Sequence, residues 1–430
     1  MTRTHAPSRT GFFPQRLITL PACLLALSLT SPLAALAAKR ADKGPDKSAI
    51  QRASVPAPSL ATEGLAEARL IEIYTLIGKG QSREALDKAE RLAQELPHFQ
   101  LAQLVYGDLL AARTRPVAKL GDVPDTLAKA APAALNELRE ESLRRVRALK
   151  ERPPAGMVPA QFLQLSQRTR HAIAVDASRS RLYLFANTAD GLNLIGDYYI
   201  SVGKAGTSKD VEGDQRTPLG VYYITSNLDP KTLKDFYGSG ALPINYPNVL
   251  DAKRGKTGSG IWLHGTPPTQ FSRAPQATDG CVVLANPDLE HIIRTVEVRA
   301  TPVLIAPQLR WVSPNISRTE GKPFEDALLA WRNAKTAGDV NQVLSFYTSD
   351  FNSNGKTLAQ WVPTLRSEMQ KTQGRTIQLK DVSYLRWTDS ADTMVATFGE
   401  VAEGVRTGLT KRQYWIRQDN QWKIFYEGVL

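Results

Sequence analysis

Between Glu151 and Gly156, in the stretch Glu-Arg-Pro-Pro-Ala-Gly, the chain changes its hydrophobic period. No single layer of structure serves both sides of that change. Before it, from Ala61 to Arg113, apolar residues recur at steps of three and four, the spacing of helices packed on one face. Gly78 and Gly80 end a first helix, Ser82 caps a second, and Pro97 breaks it ahead of a third. Thr126 to Lys150 is again helical and arginine-rich. After the change, segments such as HAIAVDASRSRLYLFAN and LIGDYYISVGKAG alternate apolar and polar residues between turn-forming clusters, as in an antiparallel sheet. A chain of 430 residues exceeds one ordinary core, so two to four domains are expected.

Within the strand-rich region a single stretch carries chemistry. Ile261-Trp262-Leu263 ends at His264-Gly265-Thr266, and a loop rich in proline and polar residues leads to Thr278-Asp279-Gly280-Cys281 and the apolar run Val282-Val283-Leu284. A loop returning on itself brings the thiol and the imidazole to one sheet edge, where an imidazole takes the thiol's proton and lowers its pKa. The other reading is a core cysteine ahead of Val-Val-Leu. Upstream, residues 226–260 form a long irregular section, the length of a lid or substrate wall. Asn286, Pro287 and Asp288 look like a helix start with Asn at the cap.

The N-terminus has Arg3, Arg9 and Arg16, an apolar run from Leu17 to Leu36 with two prolines, and Ala35-Leu36-Ala37. This is the pattern of a secretory signal over residues 1–37, followed by a flexible linker over 38–60. Formal net charge is +12, and +9 without those three arginines. Such a balance draws a protein to anionic lipid, wall polymer or nucleic acid, and no nucleic-acid-binding module supports the last of these. Of two cysteines, Cys23 leaves with the signal, and an exported protein with one thiol has no internal disulfide. Five scattered histidines offer no metal site, and no cofactor is expected. His98 and His171 have no evident partner, and His291 sits on the helix after Cys281.

These residues carry a family resemblance. His264-Gly265-Thr266, Thr278-Asp279-Gly280-Cys281 and Thr217-Pro218-Leu219-Gly220 stand in the order of the L,D-transpeptidase (YkuD-type) catalytic domain, and residues 168–307 resemble it. The resemblance implies a β-sandwich-like fold acting on peptidoglycan peptide stems. It further implies Cys281 as nucleophile, His264 as base, the Gly265 carbonyl orienting the imidazole, and the amides of Gly280 and Cys281 as oxyanion donors, with Thr278, Asp279 and Tyr246 as substrate contacts. Most members have His before Gly-Cys and Arg two positions after Cys. Here those places hold Asp279 and Val283, which removes a positive charge from the site. Similar variants occur in a branch that includes cell-shape L,D-carboxypeptidases, where water resolves the acyl-enzyme.

Residues 320–430, three helical patterns followed by four alternating strands, resemble the nuclear-transport-factor-2-like cone. Its expected role is self-association or wall binding, with Trp331, Trp361, Trp387, Trp415 and Trp422 in its core. Ala85, Ala89, Pro97, Ala102 and Tyr106-Gly107-Asp108 make residues 61–150 resemble tetratricopeptide repeats, and hence a surface for a protein partner. The expected architecture is multidomain α+β: an N-terminal helical tetratricopeptide-like region, a central mostly-β L,D-transpeptidase domain and a C-terminal α+β cone. The expected function is a periplasmic cysteine enzyme, a transpeptidase or carboxypeptidase. The alternative is a non-catalytic wall-binding scaffold.

Overall fold

A computed structural model describes residues 64–430, so the expected signal, the whole of the expected linker and residues 61–63 lie outside the described residues. The helical region forms from Leu65–Gly78 (α1), Ser82–Glu95 (α2), Gln100–Ala111 (α3), Asp125–Ala130 (α4) and Pro132–Lys150 (α5). Ala85, Ala89 and Ala102 are fully buried, so the helices approach closely around Leu70, Ile73, Leu92 and Val105. Ser82 is the first helical residue and not its cap; Gln81 precedes it without a capping side-chain bond. Among the described residues no helix is long and apolar enough to cross a membrane.

The central domain is built on a five-stranded sheet in the order Gly191–Tyr199, Arg181–Thr188, His171–Asp176, Pro302–Ala306, Gly220–Tyr223. It is mixed and not purely antiparallel, because Pro302–Ala306 runs parallel to His171–Asp176. Both faces are buried, and side-chain size alternates where polarity does not. Ile173, Val175, Leu182 and Leu184 face one core, while Ala172, Ala174, Tyr183 and Phe185 face another. The first core is shared with a three-stranded sheet, Val282–Val283, Trp262–His264, Ala241–Pro243, and with the helix Asn286–Thr295.

The second core is shared with the C-terminal domain. Its helices Pro314–Ala337, Val340–Ser345 and Leu358–Lys371 precede the strands Ile377–Thr388, Asp392–Ala402, Leu409–Gln418 and Gln421–Val429. One sheet face meets the catalytic sheet through Leu385, Trp387, Val395, Tyr414 and Phe425. Phe162–Gln164, which precedes the central domain, adds a fifth strand to this sheet. Arg412 stacks 3.4 Å from the Tyr223 ring centre, and Arg254 forks onto Asp389 at 2.6 Å, so polar contacts rim the apolar one. Trp331, Trp387, Trp415 and Trp422 are buried in the domain, and Trp361 is half-buried.

Inside the cone lies a group of charges. Lys411 Nζ reaches Glu368, Glu400 and Glu427 at 2.6, 3.3 and 3.0 Å, and Lys335 Nζ reaches Glu368 and Glu400 at 3.2 and 2.7 Å. Gln413 Nε2 and the Tyr347 hydroxyl donate to Glu427. Burial alone pushes the Glu427 carboxyl up, but Lys411, Lys335 and the bond from Gln413 outweigh it and hold the group at about 2. Removing one partner strands buried charge, so Lys411→Ala is expected to lower stability by about 3–5 kcal/mol in denaturant titration. A depressed carboxyl contributes stability above its unfolded pKa and loses it as the group protonates. The melting temperature is therefore expected to fall as pH drops from about 4.5 toward 2, and Glu427→Gln to flatten that dependence.

Candidate active site

His264 ends the strand Trp262–His264, and Val282–Val283 pairs with it in parallel, Val282 opposite Leu263 and Val283 opposite His264. The expected return of the loop therefore gives a parallel pair, with Cys281 two positions behind the partner of His264. Strands about 4.8 Å apart with a rise of about 3.3 Å per residue put the two Cα atoms roughly 8 Å apart. Residues two apart on a strand share a face, so thiol and imidazole point the same way. Both line one cavity of about 340 Å³, with Lys209, Phe236, Tyr237, Gly260, Arg273, Thr278 and Asp279. Cys281 is half-buried and donates to the Gly260 carbonyl at 3.5 Å.

Hydrogen bonds join two of the sequence motifs, and strand pairing brings the third alongside. Thr217 is fully buried; its Oγ1 accepts from the Gly203 amide and donates to the Gly280 carbonyl, both at 2.9 Å. Gly280 has φ +125°, and a Cβ there would come within 2.7 Å of the Arg216 carbonyl, so only glycine brings the chain to Cys281 in this shape. At the other motif, a Cβ on Gly265 would meet Asn286 Oδ1 at 2.0 Å. Asn286 does not cap its helix, whose preceding residue is Ala285. Its amide instead accepts from the Ser239 and Thr266 backbone amides at 3.0 and 3.1 Å and donates to the Thr266 carbonyl at 2.9 Å. One side chain thereby ties the residues after His264 to the wall segment around Ser239.

Electrostatics leave both reactive groups neutral at rest. His264 is buried, its Nδ1 lies 2.7 Å from the Gly265 carbonyl, and the rings of Tyr237 and Phe236 stand 5.1 and 5.7 Å from the imidazole. Burial lowers its pKa to about 4, against the bond to Gly265 and with help from the Arg273 charge. A neutral imidazole facing a carbonyl donates from Nδ1, which leaves Nε2 the acceptor. Burial likewise pushes the Cys281 thiol up to about 11, although a bond with the Trp262 backbone and the charges of Arg273 and Lys209 pull the other way.

The expected contacts divide, with Thr278 and Asp279 on the cavity and Tyr246 elsewhere. Tyr246 is outside the cavity: its ring packs on Tyr222 and its hydroxyl donates to the Thr257 carbonyl. The Gly280 amide donates to Thr278 Oγ1 at 3.1 Å, and Thr278 in turn donates to the Cys281 carbonyl at 2.7 Å. That amide is thus engaged, and Thr278 braces the turn. Asp279 stands at the mouth, paired with Lys204 at 3.0 Å. Phe236, Tyr237 and residues 258–261 make the wall expected of the long irregular section. His291 is on the helix near Tyr198 and outside the cavity, and His171 pairs with Glu297 at 3.1 Å.

The site is not short of positive charge. Val283 is a core residue bonded to Ser201, but Arg273 supplies a guanidinium from the crossover loop, stacked 4.4 Å from the Phe236 ring centre. Its sequence signal was available: it is the only charged residue between His264 and Asp279. Lys209, also buried, was masked by its place in a turn, where its ammonium is held by Asp214 at 2.8 Å. With the thiol at about 11, alkylation by iodoacetamide is expected to be slow at pH 7 and to rise about tenfold per pH unit up to pH 10. A rate already level below pH 7 would mean that a resting thiolate exists.

Residues 170–305 match the YkuD family, the L,D-transpeptidase catalytic domain, and residues 324–428 match the Cds6 C-terminal NTF2-like domain. No curated protein matches the chain. Among solved structures, Bd1075 of Bdellovibrio bacteriovorus is similar at 24% identity and a TM-score of 0.54, over 64% of this chain and 98% of that one. The helical cell shape determining protein Pgp2 of Campylobacter jejuni is similar at 21% identity and a TM-score of 0.50, over 67% of this chain and 99% of that one. These two likenesses show a shared fold. The chain therefore carries a YkuD L,D-transpeptidase catalytic domain followed by a C-terminal NTF2-like domain.

Proposed function

We propose that the chain is an exported cysteine enzyme of peptidoglycan remodelling, with residues 1–37 as its secretion signal and the cell envelope as its place of work. Its modules are taken as residues 61–150, 168–307 and 320–430. The observation that carries the reading is that His264 ends one strand and Cys281 leads into the parallel strand beside it, both lining one cavity, with His264 Nδ1 committed to the Gly265 carbonyl.

In this reading Cys281 Sγ attacks the carbonyl carbon of the L-centre of a diamino-acid residue in a stem peptide while its proton passes to His264 Nε2. The oxyanion meets the Cys281 amide, with the engaged Gly280 amide joining only if it leaves Thr278. Collapse breaks the C–N bond. The departing D-amino acid takes the proton from His264 and leaves a thioester on Cys281. An amine resolving that thioester makes a crosslink, and water trims the stem. Arg273 and Lys209 favour the sulfur's negative charge as it forms, so a neutral resting pair is compatible with attack. The likeness to a protein of helical cell shape supports a role in shaping the wall. The helical region, tetratricopeptide-like in sequence, is the surface for a protein partner, and the NTF2-like domain the one for the wall or for self-association.

A non-catalytic scaffold calls for a sealed, unreactive cysteine, whereas Cys281 is half-buried on a cavity wall. Incubating the protein with purified tetrapeptide stems, followed by mass spectrometry, separates the cases. Loss of the terminal D-residue, or its replacement by an added amine, is expected and should vanish in Cys281→Ala. Substrate bound but left intact by both proteins would favour the scaffold.

A further inference from the structure

The helical region touches the catalytic domain at the loop that carries Arg273. Phe271 stacks on Phe99, which lies between α2 and α3, at 4.4 Å between ring centres, and its amide donates to the His98 carbonyl at 3.1 Å. Ser272 Oγ donates to Glu141 of α5 at 2.7 Å. The Arg273 carbonyl accepts from the Tyr199 hydroxyl at 2.9 Å, and the Tyr199 ring is covered by Arg145 of α5 at 3.9 Å. Arg145 is held in turn by Glu141 at 2.7 Å and by Glu67 of α1 at 2.8 Å, and Glu67 also pairs with Arg181 of the catalytic sheet at 2.9 Å. Three consecutive loop residues are thus pinned, Phe271 by the turn between α2 and α3 and Ser272 by α5.

The guanidinium beyond those pins has an unusual setting. Arg273 is 8% exposed, and the carboxylate that acts on it is Asp279, on the same cavity and itself paired with Lys204. A cation so placed tends to swing back to water unless its backbone is fixed. The other charges at the cavity are fixed from within the catalytic domain: Lys209 by Asp214, and Asp279 by Lys204. Glu212 lines the same cavity, and His264 is neutral. Arg273 is the charge there whose loop the helices hold.

We propose that the N-terminal helical region is a positioning element of the catalytic centre: Phe99, His98 and Glu141 clamp Phe271 and Ser272 so that the Arg273 guanidinium faces the Cys281 sulfur. The claim rests on the reading of Cys281 as nucleophile only for its consequence in turnover. The clamp stands on contacts, and Arg273 and Cys281 line one cavity. Loosening the clamp is therefore expected to act as removal of the Arg273 charge does, even though Phe271 and Ser272 contribute no charge of their own.

The ratio of Cys281 alkylation rates by anionic iodoacetate and neutral iodoacetamide reads the charge beside the sulfur, with accessibility largely cancelling. In the full chain, Arg273→Gln is expected to lower that ratio by about tenfold. Phe271→Ala and Ser272→Ala should lower it in the same direction, and Phe271→Ala added to Arg273→Gln should lower it no further. A ratio unchanged in Arg273→Gln, or unchanged in both clamp variants while Arg273→Gln lowers it, overturns the proposal. Ser272→Ala removes one hydroxyl and decides the matter if Phe271→Ala does not fold. Turnover of stem tetrapeptides is scored separately. If wild type shows the expected ratios but leaves the peptide intact, the nucleophile assignment fails and the clamp stands.

Discussion

The structure depends on the parallel pairing of Trp262–His264 with Val282–Val283. Two strands joined in parallel need a crossover of a dozen or more residues, and here the crossover is the loop that separates imidazole from thiol. The pairing fixes which residues face the cavity, and the loop has to be fastened along its length. Asn286 fastens its start, Thr217 and Thr278 brace its end, and the helical region holds its middle. Small residues stand where those fastenings crowd the backbone, at Gly265 and Gly280.

Around this site the modules are joined through buried surfaces. The catalytic sheet has two covered faces, and in His171–Asp176 and Arg181–Thr188 the side chains sort by size: branched residues fill the catalytic core, while alanines and aromatics meet the NTF2-like sheet. Glu67 bridges Arg145 and Arg181 between the helices and the catalytic sheet. Burial alone pushes its carboxyl up, but Arg181 and Arg145 together outweigh it and hold the group below the usual carboxylate range. Such a triad is weak evidence for net stability, since its desolvation offsets much of the attraction. Its geometry specifies how the helices sit, and that orientation delivers Phe99 and Glu141 to the loop.

Much of this was legible in the sequence where one local rule governed. Most helix spans followed from apolar spacing, which reports a single buried face, and the four C-terminal strands were legible between their turn residues although both faces of their sheet carry core side chains. The pattern misled where two faces are buried, as in His171–Asp176, since polarity no longer alternates and parallel neighbours leave no local mark. At the site, the motifs located His264 and Cys281, but the supporting contacts are long-range. Asn286 has the look of a helix cap and serves a loop twenty residues away, and Tyr246 has the look of a substrate contact and lies in the core. Val283 brings no charge to the cavity, whereas Arg273 of the crossover loop does, a placement that spacing cannot reveal.

The central claim is that Cys281 forms a thioester with a stem peptide. Acid-quenched intact-mass measurement during incubation with tetrapeptide tests it most directly. The account predicts a transient mass gain equal to the stem peptide less one molecule of its terminal D-amino acid, confined to Cys281 and absent in Cys281→Ala. Turnover of the peptide with an adduct mapping to another residue, or turnover retained in Cys281→Ala, would contradict it.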